Sequence, residues 1–112
     1  PDQAFVTRAT ELVIKNISNS EYGRDEFAND MAMGSSTLYN KVKATTGQTI
    51  VAFITSIRMK EAKRILEGDP DILINDLAVR VGFNTPKYFS KCFKKEFGIF
   101  PKEFAEQMQS KG

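Results

Sequence analysis

Histidine is absent from this 112-residue sequence, and cysteine occurs only once. Without histidine the chain has no Ser-His or Cys-His catalytic pair and no imidazole metal ligand. Its one cysteine, Cys92, excludes an internal disulfide and a thiolate metal cluster, and favours a reducing compartment. We therefore expect no metal and no cofactor. An enzyme is disfavoured as well, because only carboxylates and lysines remain for catalysis.

Long apolar runs and alternating runs are also missing. No segment approaches the length of a membrane span and no signal peptide is visible, so we expect no membrane contact by this segment. The lack of alternating apolar and polar residues predicts no strands, and therefore an all-α fold. Because the chain opens on Pro1 rather than Met, we expect it to be a fragment of a longer protein.

The net charge of +2 is uninformative, but the charges are unevenly distributed along the chain. Residues 1–33 hold six acids and three bases, whereas residues 34–66 hold six bases and only Glu61 as an acid. A second group of bases lies within 87–95. Basic residues grouped in this way indicate a surface that binds nucleic acid.

The most informative stretch is 74–98, INDLAVRVGFNTPKYFSKCFKKEFG. Its first part has apolar residues at helical spacing and ends at Gly82, a typical left-handed helix stop. Thr85 and Pro86 then favour a new helix, as its N-cap and its first residue. That helix has an apolar face and a basic face, formed by Phe89, Phe93 and Phe97 and by Lys87, Lys91, Lys94 and Lys95. The stretch predicts a helix-turn-helix, whose second helix enters the major groove of DNA.

The same pattern occurs earlier in the chain. Residues 25–31 match 75–81 at an offset of 50, and positions within 38–53 match 89–104 at an offset of 51, so the extra residue falls in the turn. In the first copy we expect Asp25 and Ser35 to be the N-caps of the two helices, with Gly34 marking the turn. A repeated helix-turn-helix is a more specific signal than either copy alone.

A long helix is predicted between the copies, over residues 49–67, and another at 3–18. Apolar residues in the first half of the long helix lie on a different face from those in its second half, so each half is expected to pack on one copy. We expect two helix-turn-helix subdomains, 1–57 and 68–112, which share the long helix, 49–67, as a connector.

Three segments of the sequence carry a resemblance to a known family: MGSSTLYNKVKATTG, RMKEAKRIL and INDLAVRVGFNTPKYFSKCFKKEFGIFPKEF. The last of them contains a G-F, Y-F, F-K-K and G-x-x-P pattern. From about Phe5 to Phe104, the chain closely resembles the AraC/XylS-type DNA-binding domain of bacterial transcription regulators. The S-S-T-L-Y-N-K segment also resembles the subset that forms the C-terminal output module of hybrid two-component sensors.

The resemblance implies an all-α, homeodomain-like fold of about seven helices, with two recognition helices in successive major grooves on one face of the DNA. It implies a double-stranded DNA operator and RNA polymerase as partners, and N-terminal sensor or dimerisation domains outside this sequence. It also implies a place in the cytoplasm at the nucleoid, with a membrane anchor elsewhere if the full protein is a hybrid sensor. At Phe104-Ala105 many members carry Tyr-Arg, so we expect the phosphate contact of that arginine to be missing here.

Residue roles follow from helical spacing and from the resemblance together. Side chains early in a recognition helix reach base edges, and we assign to this role Ser36, Tyr39, Asn40, Lys87, Ser90 and Lys91. We assign to phosphate contacts Lys43, Lys94 and Lys95, with backbone N–H groups at the helix starts near Ser35 and Thr85. Arg58 and Arg64, on the connector, are assigned either to phosphate contacts or to intramolecular pairing.

Two simpler interpretations remain open. Each lysine of the basic face is compatible with an ordinary solvated helix surface. The amphipathic helices are also compatible with a helical protein–protein interaction module, which would bind its partner without a steep dependence on salt. Such a module does not need lysine- or asparagine-bearing faces at matching positions of two helices, and this favours DNA binding.

Overall fold

The computed structural model describes residues 2–111 and contains α-helices but no strand in that range. The seven helices are α1 Asp2–Lys15, α2 Arg24–Asp30, α3 Ser35–Thr46, α4 Ile50–Gly68, α5 Ile74–Arg80, α6 Pro86–Phe97 and α7 Pro101–Lys111. The prediction of an all-α fold with about seven helices is therefore confirmed. None of the helices in the described range is both long enough and apolar enough to cross a membrane.

The helix order shows the repeat directly. Helices α2 and α3 recur as α5 and α6, and the helices that follow them, α4 and α7, begin at equivalent positions, Ile50 and Pro101. The turn between the paired helices has four residues in the first copy, 31–34, and five in the second, 81–85. The extra residue of the second copy thus lies in the turn, as the change of offset predicts.

Two separate groups of buried side chains form the interior. The first core consists of Phe5, Ala9, Val13, Tyr22, Phe27, Ala28, Met31, Leu38, Val42, Ile50, Phe53, Ile54 and Ile57. The second core consists of Met59, Ala62, Leu66, Leu77, Ala78, Val81, Phe83, Phe89, Phe93, Phe104 and Ala105. Helix α4 contributes to both, and its contribution passes from the first core to the second between Ile57 and Met59. The two faces predicted for the connector are confirmed, while the subdomain boundaries stay a prediction.

Two of the predicted helix starts are wrong, and both lie in the first copy. Helix α2 has Gly23 as its N-cap instead of Asp25, because the Glu26 side chain accepts the Gly23 N–H at 3.1 Å and fixes an earlier start. Helix α3 has Gly34 as its N-cap, and Ser35 is its first residue. The Ser35 hydroxyl donates to Asp25 Oδ1 at 3.4 Å, so it does not cap a backbone N–H.

The end of α1 differs from the prediction, whereas the start of α6 agrees with it. The first helix ends at Lys15 rather than at Ser18, and the amide side chain of Asn16 donates to the Leu12 carbonyl at 2.8 Å, next to that end. In the second copy the predicted start is confirmed. The Thr85 side chain accepts the Tyr88 N–H at 3.2 Å, and Pro86 opens helix α6.

The turn of the second copy needs a glycine for two reasons. Gly82 has a φ of +87°, a conformation that strains residues with a side chain. A Cβ at this position would also lie 1.6 Å from Arg58 Nη1 and 2.3 Å from the Ile17 carbonyl oxygen. The equivalent residue of the first turn, Ala32, is also left-handed, with a φ of +57°, but it is exposed. Of these two left-handed residues, Gly82 is therefore the one packed closely against another part of the chain.

We expect Gly82→Ala to destabilise the domain more than Gly98→Ala. Both glycines are left-handed, but a Cβ at Gly98 (φ +83°) would meet open space. Gly98→Ala should cost about 1–2 kcal/mol in the free energy of unfolding. Gly82→Ala should cost roughly 3 kcal/mol or more, because its Cβ also displaces buried hydrogen-bonding groups. Denaturant unfolding of both variants measures the difference, and equal losses would contradict the close packing of this turn.

Candidate nucleic-acid interface

Helix α6 presents a row of three lysines on the side opposite its buried face. Phe89 and Phe93 are fully buried in the second core. Lys87, Lys91 and Lys94 lie on the opposite side of the helix and are exposed. The phenylalanines fix the rotation of the helix about its own axis, so the packing of the core is what turns the lysines outward.

Helix α3 presents the same arrangement with different chemistry. Leu38 and Val42 are fully buried in the first core. The exposed residues on the opposite side, at positions equivalent to the three lysines, are Ser36, Asn40 and Lys43. The outer face of α3 therefore offers a hydroxyl, an amide and one cation, whereas that of α6 offers three cations.

The remaining assigned residues of the two helices lie at the margins of these faces. Tyr39 is 41% exposed, and its counterpart Ser90 is only half-buried. Lys95 is exposed in the last turn of α6. The ammonium of Lys94 lies 5.0 Å from the centre of the Phe100 ring, a cation–π contact that restrains this side chain while its charge remains accessible.

The starts of the two recognition helices differ in how their N–H groups are satisfied. At α6 the Thr85 hydroxyl oxygen accepts a hydrogen bond from the Tyr88 N–H. At α3 the N-cap is Gly34, which has no side chain to accept a backbone N–H. The first N–H groups of a helix have no partner within the helix, and they favour a nearby anion. Of the two residues assigned to these helix starts, Ser35 is half-buried and Thr85 is exposed.

The two copies differ in charge. Residues 24–46, which contain α2 and α3, hold three bases and three acids. The equivalent residues 74–97, which contain α5 and α6, hold five bases and two acids. The acids of the first copy, Asp25, Glu26 and Asp30, all lie on α2 and are exposed. An approaching polyanion therefore meets a neutral first copy and a cationic second one.

Arg64 is exposed on the second half of α4 and makes an ion pair within that helix. Its Nε lies 3.1 Å from both carboxylate oxygens of Glu61, and its Nη2 contacts the same carboxylate. Hydrogen bonding from Arg64 lowers the pKa of Glu61 below its usual value. Of the two assignments made for Arg64, this structure therefore contains the intramolecular pairing. The guanidinium is exposed and has five N–H donors, so it can also bind a phosphate.

Arg58 does not lie at the interface, and its assignment to phosphate is corrected. The residue is only 5% exposed, and burial lowers the pKa of its guanidinium from the usual value. Its Nη1 donates to the carbonyls of Ile17 and Val81, and its Nη2 donates to the carbonyl of Asn19. A guanidinium that is enclosed and occupied in this way is not available to DNA.

Sequence reasoning overlooked Tyr88 and Val51. These residues are 61% and 71% exposed, and both line a cleft of about 330 Å³ between α4 and the start of α6. The Tyr88 ring also packs 5.7 Å from that of Phe83. Tyr88 lies on the flank of α6, between the apolar and the basic face, where helical spacing alone gives no signal.

Comparison with known proteins extends these observations. A family model described as a helix-turn-helix domain matches residues 27–107. The chain is 37% identical over 103 residues to "Histidine kinase P4" of Formosa agariphila, and this covers 92% of the chain but 7% of the relative. It is 34% identical over 90 residues to the "HTH-type transcriptional activator RhaS" of Mannheimia succiniciproducens, covering 80% of the chain and 33% of the relative. The chain thus spans a minor part of these relatives.

Solved structures have the same architecture. The C-terminal domain of AraT, a response regulator from Geobacillus stearothermophilus, superposes with a TM-score of 0.82 at 29% identity, covering 91% of this chain and 84% of that one. The DNA-binding domain of AdpA, a global transcriptional factor in complex with a target DNA, superposes with a TM-score of 0.84 over 95% of this chain and 94% of that one. Its identity of 18% supports the fold alone.

The family model covers most of the chain, including both helix-turn-helix copies and the helix between them. Its match agrees with the two outward faces built on α3 and α6 and with the relatives named as transcription regulators. The chain belongs to the AraC-type helix-turn-helix family, the DNA-binding domains of transcription regulators.

Proposed function

We propose that the domain binds a specific double-stranded DNA operator by placing α3 and α6 in two successive major grooves. The observation that carries this proposal is the matching outer faces of the two helices. Each is opposite two fully buried side chains, and each has polar residues at equivalent positions. A helix is the element that fits the major groove, and its outer side chains reach the base edges there.

The division of contacts follows from the chemistry of each position. Lysine can donate to guanine O6 and N7, and asparagine can pair with adenine N6 and N7. Ser36, Tyr39 and Asn40 read bases in the first half-site, and Lys87, Ser90 and Lys91 read bases in the second. Phosphates are met by Lys43, Lys94 and Lys95, by backbone N–H groups near Ser35 and Thr85, and by Arg64 if it leaves Glu61.

The charge difference between the copies supports a division of labour between them. The second copy has an excess of bases, so it contributes most of the counterion release on DNA binding. It therefore supplies most of the salt-dependent part of the affinity for DNA. The first copy is neutral and offers mainly uncharged donors and acceptors, so it contributes discrimination among bases more than non-specific attraction.

The relatives suggest the wider setting. They include a protein named as a histidine kinase, and the solved structures include the C-terminal domain of a response regulator. We propose that this segment is the C-terminal output module of a longer regulator, and that the module binds DNA of the nucleoid in the cytoplasm. N-terminal sensor or dimerisation domains would control it, and RNA polymerase would be its partner at the promoter. Any membrane anchor would lie in those other domains.

Selection of bound sequences from random double-stranded DNA tests the proposal as a whole. We expect a single motif with two half-sites separated by about one helical turn, 10 to 10.5 bp. Binding to the selected sequence should weaken steeply with salt. Enrichment of no sequence, together with binding that is indifferent to salt, would instead favour the helical protein-interaction module.

Lys91→Ala and Lys94→Ala should have different effects on binding. Lys91→Ala is expected to cost about 1–3 kcal/mol on the selected operator and to relax base preference in the second half-site. Lys94→Ala should weaken all sequences about equally and lower the slope of log K against log salt by about 0.9. Lys15→Ala, which removes an exposed lysine of α1, is the control and should change neither quantity. If both variants of α6 keep the wild-type base preference, the assignment of base and phosphate contacts is wrong.

The length of α4 leads to a prediction about DNA shape. Its 19 residues extend for about 28 Å at ~1.5 Å per residue, whereas successive major grooves on one face of straight DNA lie about 34 Å apart. Because α4 is packed into both cores and cannot stretch, we expect the operator to bend toward the protein, or one copy to bind less completely. Bending over ~20 bp costs on the order of 1–6 kcal/mol, so flexible steps between the half-sites should be preferred.

Circular-permutation gel shifts measure the bend. Straight DNA with both half-sites protected would show that α4 imposes no such constraint.

A further inference from the structure

The centre of α4 contains a buried cation that forms no ion pair with any acid within residues 2–111. Arg58 is 5% exposed, and it takes no part in the ion pairs found among the described residues, Arg24–Asp25 and Arg64–Glu61. It lies directly between Ile57, the last contribution of α4 to the first core, and Met59, its first contribution to the second. Burying a guanidinium is costly unless its donors are satisfied, so its position depends on the groups that receive them.

Those groups are backbone carbonyls from two distant segments. Ile17 and Asn19 belong to the connection between α1 and α2, and Val81 directly follows α5 as the first residue of the turn in the second copy. The Val81 contact is 2.6 Å and the Asn19 contact is 3.1 Å. A planar guanidinium presents its donors in a fixed fork, so one side chain binds both segments in a defined relative geometry.

The close approach at Gly82 shows that the two segments meet at Arg58. A Cβ at Gly82 would lie 1.6 Å from Arg58 Nη1 and 2.3 Å from the Ile17 carbonyl oxygen. The residue at the equivalent turn position of the first copy, Ala32, has a side chain and is exposed. The second turn, and not the first, is therefore pressed onto the arginine and the connection behind it. Helix α6 begins only four residues after Gly82.

We propose that Arg58 is a positioning residue that fixes the separation and angle between α3 and α6, and so sets the half-site spacing that the domain accepts. This proposal rests on the proposed DNA-binding function. Helix α4 contributes to both cores along one line, and Ile17 of the connection between α1 and α2 also packs against the second core. Arg58 adds a polar connection away from the helix axis, and this connection opposes rotation of the second copy about α4.

A measurement on the free protein tests the positioning without any DNA. Spin labels on cysteines at Ala44 of α3 and Glu96 of α6, both exposed, report the distance between the recognition helices in a Cys92→Ser background. We expect a narrow distance distribution that broadens in Arg58→Met, which has no donors. In Arg58→Lys the distribution should also broaden, because the compact ammonium cannot span three carbonyls. The broadening should be smaller than in Arg58→Met, because the ammonium still has donors. Lys60→Met, at an exposed position of the same helix, is the matched control and should leave the distribution narrow.

A binding measurement tests the consequence for DNA. Inserting or deleting one base pair between the half-sites moves one half-site by about 3.4 Å and rotates it by about 34°. For the unmodified chain and for Lys60→Met we expect this change to weaken binding about tenfold or more, because the two copies can no longer engage together. In Arg58→Lys the penalty should shrink to about threefold, while affinity for an operator with one half-site changes less than about twofold.

The outcomes separate the two proposals. If Arg58→Met does not fold, Arg58→Lys carries the test, and thermal melting identifies the temperature at which each variant is intact. A folded Arg58 variant that keeps the narrow distribution and the full spacing penalty would overturn the positioning role. A broadened distribution in a protein that binds no operator would support the positioning role and contradict the DNA-binding function.

Discussion

The structure depends on one helix that belongs to two hydrophobic cores. Helix α4 contributes Ile50, Phe53, Ile54 and Ile57 to the first core and Met59, Ala62 and Leu66 to the second. Burial of apolar area is the main favourable term in folding, and a core built by only a few short helices buries little of it alone. Each copy therefore relies on the helix that it shares with the other, and the two outward faces of α3 and α6 are related through that helix.

Much of this arrangement can be read from the sequence, because it depends on local spacing. The positions of the phenylalanines in α6, and of Leu38 and Val42 in α3, are enough to determine which residues of those helices point outward. The offset of 50 or 51 residues identifies the repeat and places the extra residue in the turn. The helix starts in the first copy were less predictable, because several polar residues compete there. Glu26 captures the Gly23 N–H, and Ser35 binds Asp25 instead of a backbone group.

The role of Arg58 could not be read from the sequence for a different reason. Its carbonyl partners lie 41, 39 and 23 residues away along the chain, and nothing in the local pattern brings those segments together. An arginine on an amphipathic helix is ordinarily exposed, and only the packed fold shows that this one is enclosed. The same holds for Tyr88, whose place beside the cleft depends on how α6 packs against α4.

The two left-handed turn residues differ in a way that bears on how such a domain could change its target during evolution. Ala32 sits in open surroundings, so the loop before α3 can accept substitutions and small insertions that redirect the first helix. Gly82 has no such freedom, because its neighbours leave no room for a single additional carbon. Substitutions and insertions should therefore be tolerated at the first turn more than at the second, so the orientation of α3 can change while that of α6 stays fixed.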